Sequence, residues 1–314
     1  MSNHPTLEDI ALPHGIRLRC HAQGVRGRPV LLFLHGFPEG AFIWDALLAH
    51  FSQSAHGGYR CVAPYLRGYG ASSRPADVAA YRPRHLVQDI AALIAHESAD
   101  SPLACLVGHD WGGAIAWNLA SLHPQLLQRL LIINAPHPGA FARELAHNAA
   151  QQAASQYMHF LCRPDAEALL AEDDFRRLSA FFQTPDGKPP AWLTDGLRAQ
   201  YRALWQQGLA GACNYYRASP LRPPRAGDLG AAAVQLPPEL GRTTVPTRVL
   251  WGLDDVALQP ALLDGLGDWV PQLQVQPVAG ASHWLVHEQP AAVIDALGAW
   301  LEREARKMIA NFAY

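Results

Sequence analysis

The chain of 314 residues carries no excess charge of either sign. Its 25 Lys and Arg stand against 27 Asp and Glu, a formal net charge of −2. A nucleic-acid groove or a grip on an anionic membrane surface needs a basic excess, so neither is expected. No apolar run approaches the roughly 20 residues that span a bilayer. Residues 1–9 lack a basic stretch followed by an apolar one, so no secretory leader is expected. The five cysteines (Cys20, Cys61, Cys105, Cys162 and Cys213) are odd in number and scattered, without the paired spacing of a metal site. Cys61 and Cys105 lie in apolar runs and read as small core residues. Reduced thiols of this kind point to a cytoplasmic protein. What the chain does have is apolar mass: 49% of it is hydrophobic, enough for a sizeable core at this length.

Short apolar runs at 30–34, 61–64, 103–107, 130–134, 247–251 and 273–278 read as buried strands. Helical patterns lie between most of them, for example at 44–51 and 86–97. This alternation predicts an α/β fold, with a mostly parallel central sheet and helices on both faces. Residues 16–23 alternate apolar with polar and predict an antiparallel edge strand. The alternation stops near 135. From there the patterns at 141–160, 165–170, 174–182 and 192–208 predict helices only. Residues 1–135 and 241–314 thus read as the core and 136–222 as an inserted all-helical cap. The Pro/Gly/Ala-rich stretch 223–240 reads as the connection back. A last helix follows Pro290 through Leu301, and the tail 302–314 extends it or frays.

The most informative stretch is Gly108-His109-Asp110-Trp111-Gly112, between the apolar run 103–107 and the Ala-rich helical run 113–122. Strand, sharp glycine-flanked turn and helix make the layout of a nucleophile elbow. The residue at its apex is an aspartate where a serine would attack acyl carbons. A carboxylate nucleophile suits an sp³ carbon bearing a leaving group, and the covalent ester then belongs to the enzyme. A base and its orienting acid are available at the ends of later strands. Gly252-Leu253-Asp254-Asp255 follows 247–251, and Gly280-Ala281-Ser282-His283-Trp284 follows 273–278. The order nucleophile, acid, histidine is that of α/β-hydrolases. Loops at the carboxyl ends of parallel strands converge in space. His35-Gly36-Phe37-Pro38-Glu39, directly after 30–34, can aim the Phe37 N–H at the site beside that of Trp111.

These residues carry a resemblance. Over nearly its whole length the chain is similar to α/β-hydrolase fold proteins of the epoxide hydrolase group. Four motifs appear in order: HGFPE at 35–39, RGYGAS at 67–72, GHDWGG at 108–113 and the turn 280–284. The resemblance implies Asp110 as nucleophile and His283 as base, and its glycine-to-aspartate spacing selects Asp255 over Asp254. It also implies two cap tyrosines that hold the epoxide oxygen. Tyr216, directly before Arg217, matches the second. Tyr157 matches the first, with His159 a nearby alternative. The implied reaction converts an epoxide and water to a vicinal diol through an ester on Asp110. No metal and no cofactor are expected. The protein is expected to be a monomer or homodimer. An aromatic and aliphatic cap lining of Tyr157, Met158, Phe160, Leu161, Phe181, Phe182, Trp192 and Trp205 predicts a pocket for an apolar or aromatic epoxide, to which His35, Pro38, Tyr215 and Trp284 are also assigned.

Other readings exist for the same residues. A dehalogenase uses the same aspartate, and Trp111 suits a haloalkane dehalogenase. Phe37, however, stands where that group commonly has asparagine, and residues 112–115 lack the arginines of fluoroacetate-type relatives. A non-catalytic binding protein on this fold usually loses part of the triad, which is intact here. Blander roles are an N-cap for Asp110, a core histidine for His283, a brace for the elbow in His109, and a cap or loop contact for Glu39. His287 and Glu288 read as capping or solvated residues.

Overall fold

The computed structural model describes residues 5–98, 101–184 and 186–311. Residues 1–4, part of the stretch read for a leader, and 312–314, the end of the tail, lie outside the described residues. Eight strands form one sheet: β1 (Thr6–Ala11), β2 (Arg17–Gln23), β3 (Val30–Leu34), β4 (Arg60–Pro64), β5 (Cys105–His109), β6 (Leu130–Ile133), β7 (Thr247–Gly252) and β8 (Leu273–Val278). Their spatial order is β1-β2-β4-β3-β5-β6-β7-β8. The β1–β2 and β2–β4 pairings are antiparallel, and all later pairings are parallel.

Every residue of β3, β4, β5 and β6 is buried. That is why these strands read as continuous apolar runs. Leu32 and Leu34 pack into a core layer with Trp117 on one face. Leu31 and Phe33 pack with Trp44 and Trp300 on the other. Two strand expectations change. The strand over 16–23 is antiparallel but lies one place inside the edge, which belongs to β1. The sequence Thr-Leu-Glu-Asp-Ile-Ala is mostly exposed and gives little apolar signal. The strand over 273–278, expected to be buried, is the opposite edge, with Val275 39% exposed.

Between β6 and β7 the described residues form helices and turns only: Pro138–His147, Ala149–Ala154, Tyr157–Leu161, Ala166–Ala180, Asp195–Trp205 and Ala210–Ala218. The single helix expected over 141–160 is three. Asn148 takes an extended backbone, and its side chain accepts from the Ala150 and Gln151 N–H groups, so it caps a new helix. The helices read at 165–170 and 174–182 meet at a break where Asp173, Asp174 and Phe175 have positive φ. The helix read at 192–208 ends at Trp205, and the helix Ala210–Ala218, not expected, carries Tyr216. The final helix runs Pro290–Asn311. Among the described residues no helix is long and apolar enough to cross a membrane. All five cysteines are free thiols, and four of them are buried.

Candidate active site

Parallel register brings the carboxyl ends of five strands to one edge. Leu34 pairs with Gly108, His109 with Ile133, Ile133 with Leu250 and Gly252 with Val278. The residues that follow each strand therefore meet. Asp110 sits between β5 and the helix Trp111–Leu122 with φ 50° and ψ −121°. A non-glycine residue held there costs on the order of 1–3 kcal/mol, strain that recurs at functional sites. The turn is tight because the helix closes on β3: a side chain at Gly112 would lie 2.3 Å from the Leu34 carbonyl oxygen. Asp110 makes no side-chain capping bond to the helix. Its Oδ1 instead accepts the Phe37 N–H at 2.7 Å, and the Trp111 N–H also donates to the carboxylate.

The Asp110 Oδ2 faces His283, whose Nε2 is 3.7 Å away. The far nitrogen of that ring, Nδ1, donates to Asp255 Oδ2 at 2.7 Å. Asp255, and not the exposed Asp254, is thus the acid in contact with the histidine. Its Oδ1 accepts the Ala257 and Leu258 N–H groups at 2.8 and 2.9 Å. Asn134 Nδ2 donates to Oδ2 at 2.8 Å. Burial would raise the Asp255 carboxyl, but His283 and these donors hold it below the usual carboxylate range. Burial likewise works against charge on His283. Asp255, Asp110 and Glu39 outweigh it and push the ring up to about 9. Burial raises the Asp110 carboxyl, partly offset by the His283 and His109 rings and the two N–H donors.

Asp110 lies on the wall of a cavity of about 740 Å³, together with Trp111, Tyr157 and Tyr216. The two tyrosine rings stand edge to face 6.0 Å apart. Burial raises both phenols above their ordinary range, helped by the Asp110 charge at Tyr157 and by Tyr157 and then Asp110 at Tyr216. They are neutral donors facing a carboxylate. His159 is absent from this wall, and neither of its ring nitrogens has a partner among the described residues.

Six residues expected in the pocket lie elsewhere. His35 is buried, and its Nε2 accepts the Leu66 N–H. The Pro38 carbonyl accepts the Trp205 indole N–H, and the Tyr215 hydroxyl donates to the Arg67 carbonyl. Trp192 stacks on His287 at 4.3 Å. Trp284 packs on Phe182 at 4.6 Å and donates to the Phe181 carbonyl. Phe160 packs against the core. Aromatic composition marks an apolar environment, and here that environment is packed protein. Of the expected cap lining, Tyr157 and Met158 do face the cavity, and more of its wall comes from residues the sequence pattern did not mark: Asn118 and Leu122 on the helix after Asp110, and 234–237 in the supposed linker.

The sequence reading also missed a polar core beneath the site. Glu39 is wholly buried and accepts from His287 Nε2 (2.7 Å), the Tyr201 hydroxyl (2.8 Å) and His109 Nδ1 (3.0 Å). The two histidine rings hold its carboxyl down despite burial: His109 first, then His287. His109 Nε2 donates to the His283 carbonyl at 2.9 Å, so the elbow and the histidine turn are tied together. His287 is therefore a partner of the buried Glu39. Glu288 braces the same turn by accepting the Ser282 N–H and hydroxyl, each at 2.7 Å. Asn134 shows one local sign in retrospect: a polar residue closing an apolar strand run.

A strand-to-helix elbow with a buried acid–histidine pair on the same sheet edge defines a hydrolase of the α/β class. The alpha/beta hydrolase fold family matches residues 29–290. The AB hydrolase superfamily protein YfhM of Bacillus subtilis is 33% identical over 93% of this chain and 96% of its own. Epoxide hydrolase 4 of Mus musculus is 32% identical over 93% of this chain and 78% of its own. A solved structure of the Bacillus megaterium epoxide hydrolase in complex with an inhibitor superposes with a TM-score of 0.84 at 31% identity, over 94% of this chain and 100% of that one. A structure described as a novel epoxide hydrolase from metagenomes of hot environments gives 0.83 at 38% identity, over 96% and 99%. The chain belongs to the epoxide hydrolase group of the alpha/beta hydrolase fold family.

Proposed function

We propose that the protein hydrolyses apolar epoxides to vicinal diols, with water as the second substrate, through an alkyl ester on Asp110. One observation carries this reading: Tyr157 and Tyr216 share a cavity wall with a carboxylate whose Oδ1 accepts the Phe37 N–H and whose Oδ2 faces His283. Oδ2 attacks an epoxide carbon, and the C–O bond breaks with its electron pair going to oxygen. A tyrosine hydroxyl gives that oxygen its proton. Phenols suit the task because they donate while neutral. The helices of 136–222 serve as a cap that holds these tyrosines over the core, and 223–240 returns the chain to it.

The second half follows from electrostatics. Asp110 is one of the carboxylates that raise His283. As an ester it is neutral, so that contribution disappears and the ring holds a proton less tightly; in its neutral form it is the base. His283 then takes a proton from water, and the water oxygen attacks the Asp110 carboxyl carbon. The oxyanion forms on the oxygen already held by the Phe37 N–H, and the Trp111 N–H, which also favours charge on this carboxyl, serves as the second donor. One such donor is typically worth about 3 kcal/mol. Collapse releases the diol alkoxide, which takes the proton held by His283, and the second water proton, left on the new Asp110 carboxyl group, returns to the tyrosinate, restoring both the phenol and the carboxylate.

The test is a trap. With His283→Gln and styrene oxide, the ester should accumulate as a mass increase equal to the substrate on the peptide containing Asp110. No adduct with any of a panel of epoxides would overturn the reading. Chloride release from chloroalkanes without diol formation from epoxides would replace it with dehalogenation.

A further inference from the structure

The cavity has a direction. Trp111, Ala114, Asn118 and Leu122 line it. These are positions i, i+3, i+7 and i+11 of one helix, a single face. Eleven residues at 1.5 Å rise make a groove floor of about 16 Å. The segment 234–237 and Leu240 line the same cavity, and the turn Pro238–Gly241 packs against this helix. In the direction of Trp284, packed rings stand among the described residues. Phe182 lies 4.6 Å from Trp284 and 4.8 Å from Tyr201, and Trp192 is stacked on His287. The reacting carboxylate thus stands at one end of a one-sided groove.

We propose that the site takes epoxides with a single extended apolar arm, laid along the helix Trp111–Leu122, and that Ala114 and Asn118 set how well the arm is held. This deepens the proposed reaction and rests on it. Ala114 presents only a methyl group one turn from Asp110, so it sets the groove's width where the arm leaves the ring. Asn118 is the one polar residue of the floor. Its Nδ2 is satisfied by the Ala114 carbonyl at 2.7 Å, which leaves the side chain folded back along its own helix. An epoxide with an arm on each carbon would have to drive one of them into the packed rings around Trp284.

The experiment compares two isomers of equal carbon count, 1,2-epoxydecane and 5,6-epoxydecane, with 1,2-epoxybutane as the short reference. Each buried methylene of the arm should raise kcat/KM by up to about fourfold. The one-armed isomer should exceed the two-armed one by at least about tenfold. Ala114→Leu should lower the ratio of long to short terminal epoxide by about tenfold, and Asn118→Leu should raise it. Equal turnover of the two isomers, or a ratio unmoved by both variants, overturns the groove. Calorimetric binding of 1,2-decanediol, 5,6-decanediol and 1,2-butanediol separates this from the chemistry. A preference for 1,2-decanediol without turnover of any epoxide would leave the groove standing and remove the proposed reaction. Turnover without that preference would do the reverse.

Discussion

Asn134 and His283 meet on one atom: both donate to Asp255 Oδ2, at 2.8 and 2.7 Å. Asn134 also accepts the Gly252 N–H at 3.0 Å and sits at φ 41° directly after β6. It therefore ties the acid loop to the neighbouring strand. Asn134→Ala should cost about 1–3 kcal/mol of stability through the unsatisfied buried groups it leaves, measured by urea denaturation. Because the acid is then less well held, the ester should break down more slowly while its formation changes little. Stopped-flow kinetics with styrene oxide reads both rates, and equal slowing of the two would count against this assignment.

Gly36 and Asp110 are in van der Waals contact. A side chain at 36 would place its Cβ 2.3 Å from both Asp110 Cβ and Oδ1. Gly36→Ala should displace the carboxylate from the Phe37 N–H and reduce ester formation by at least about a hundredfold, the scale of losing one oxyanion donor. Retention of near-native single-turnover rates would show that the loop yields more easily than its packing implies.

Tyr157→Phe and Tyr216→Phe each remove one donor to the epoxide oxygen. General acid assistance is worth about 10²–10⁴ in rate. Each single variant should lose part of this and the double variant nearly all of it. The loss should fall on ester formation, with hydrolysis of a preformed ester unchanged within about threefold. Loss confined to the second step would reassign the tyrosines.

His283 is raised from 6.5 to about 9. A group raised on folding stabilises the native state fully below its unfolded value, and that contribution is lost as pH rises through the folded value. Stability should therefore fall between about pH 6.5 and 9, with a slope of up to about 1.4 kcal/mol per pH unit. Asp255 is lowered, so its contribution is lost only in acid. His283→Gln should flatten the alkaline slope. An unchanged slope would place the titration on another group.

Label gives the sharpest view of the covalent step. In a single turnover in heavy-oxygen water, the isotope should enter the Asp110 carboxyl and the first diol should carry none. Peptide mass spectrometry reads this directly. A labelled first diol would mean that water attacks the epoxide itself.

The sequence by itself determined the sheet's inner strands and the chemical parts of the site. Strands buried on both faces must be apolar throughout, which left β3 to β6 legible. The elbow needs small residues around one projecting side chain, which marked Asp110. His283 and the Asp254–Asp255 pair followed because loops after parallel strands share an edge, and the spacing implied by the family resemblance singled out Asp255. Only the tertiary structure decided which side of Asp110 is hollow. Rings such as Trp192, Trp284 and Phe182 have the same composition whether they line a cavity or fill one. They pack here on His287 and on one another, while a helix face with Ala114 and Asn118 and the supposed linker enclose the space. Asn134 and Glu39 were likewise decided by the fold. Their meaning lies in partners 118 and 248 residues away in the chain, Gly252 and His287, and local patterning holds no trace of such pairings.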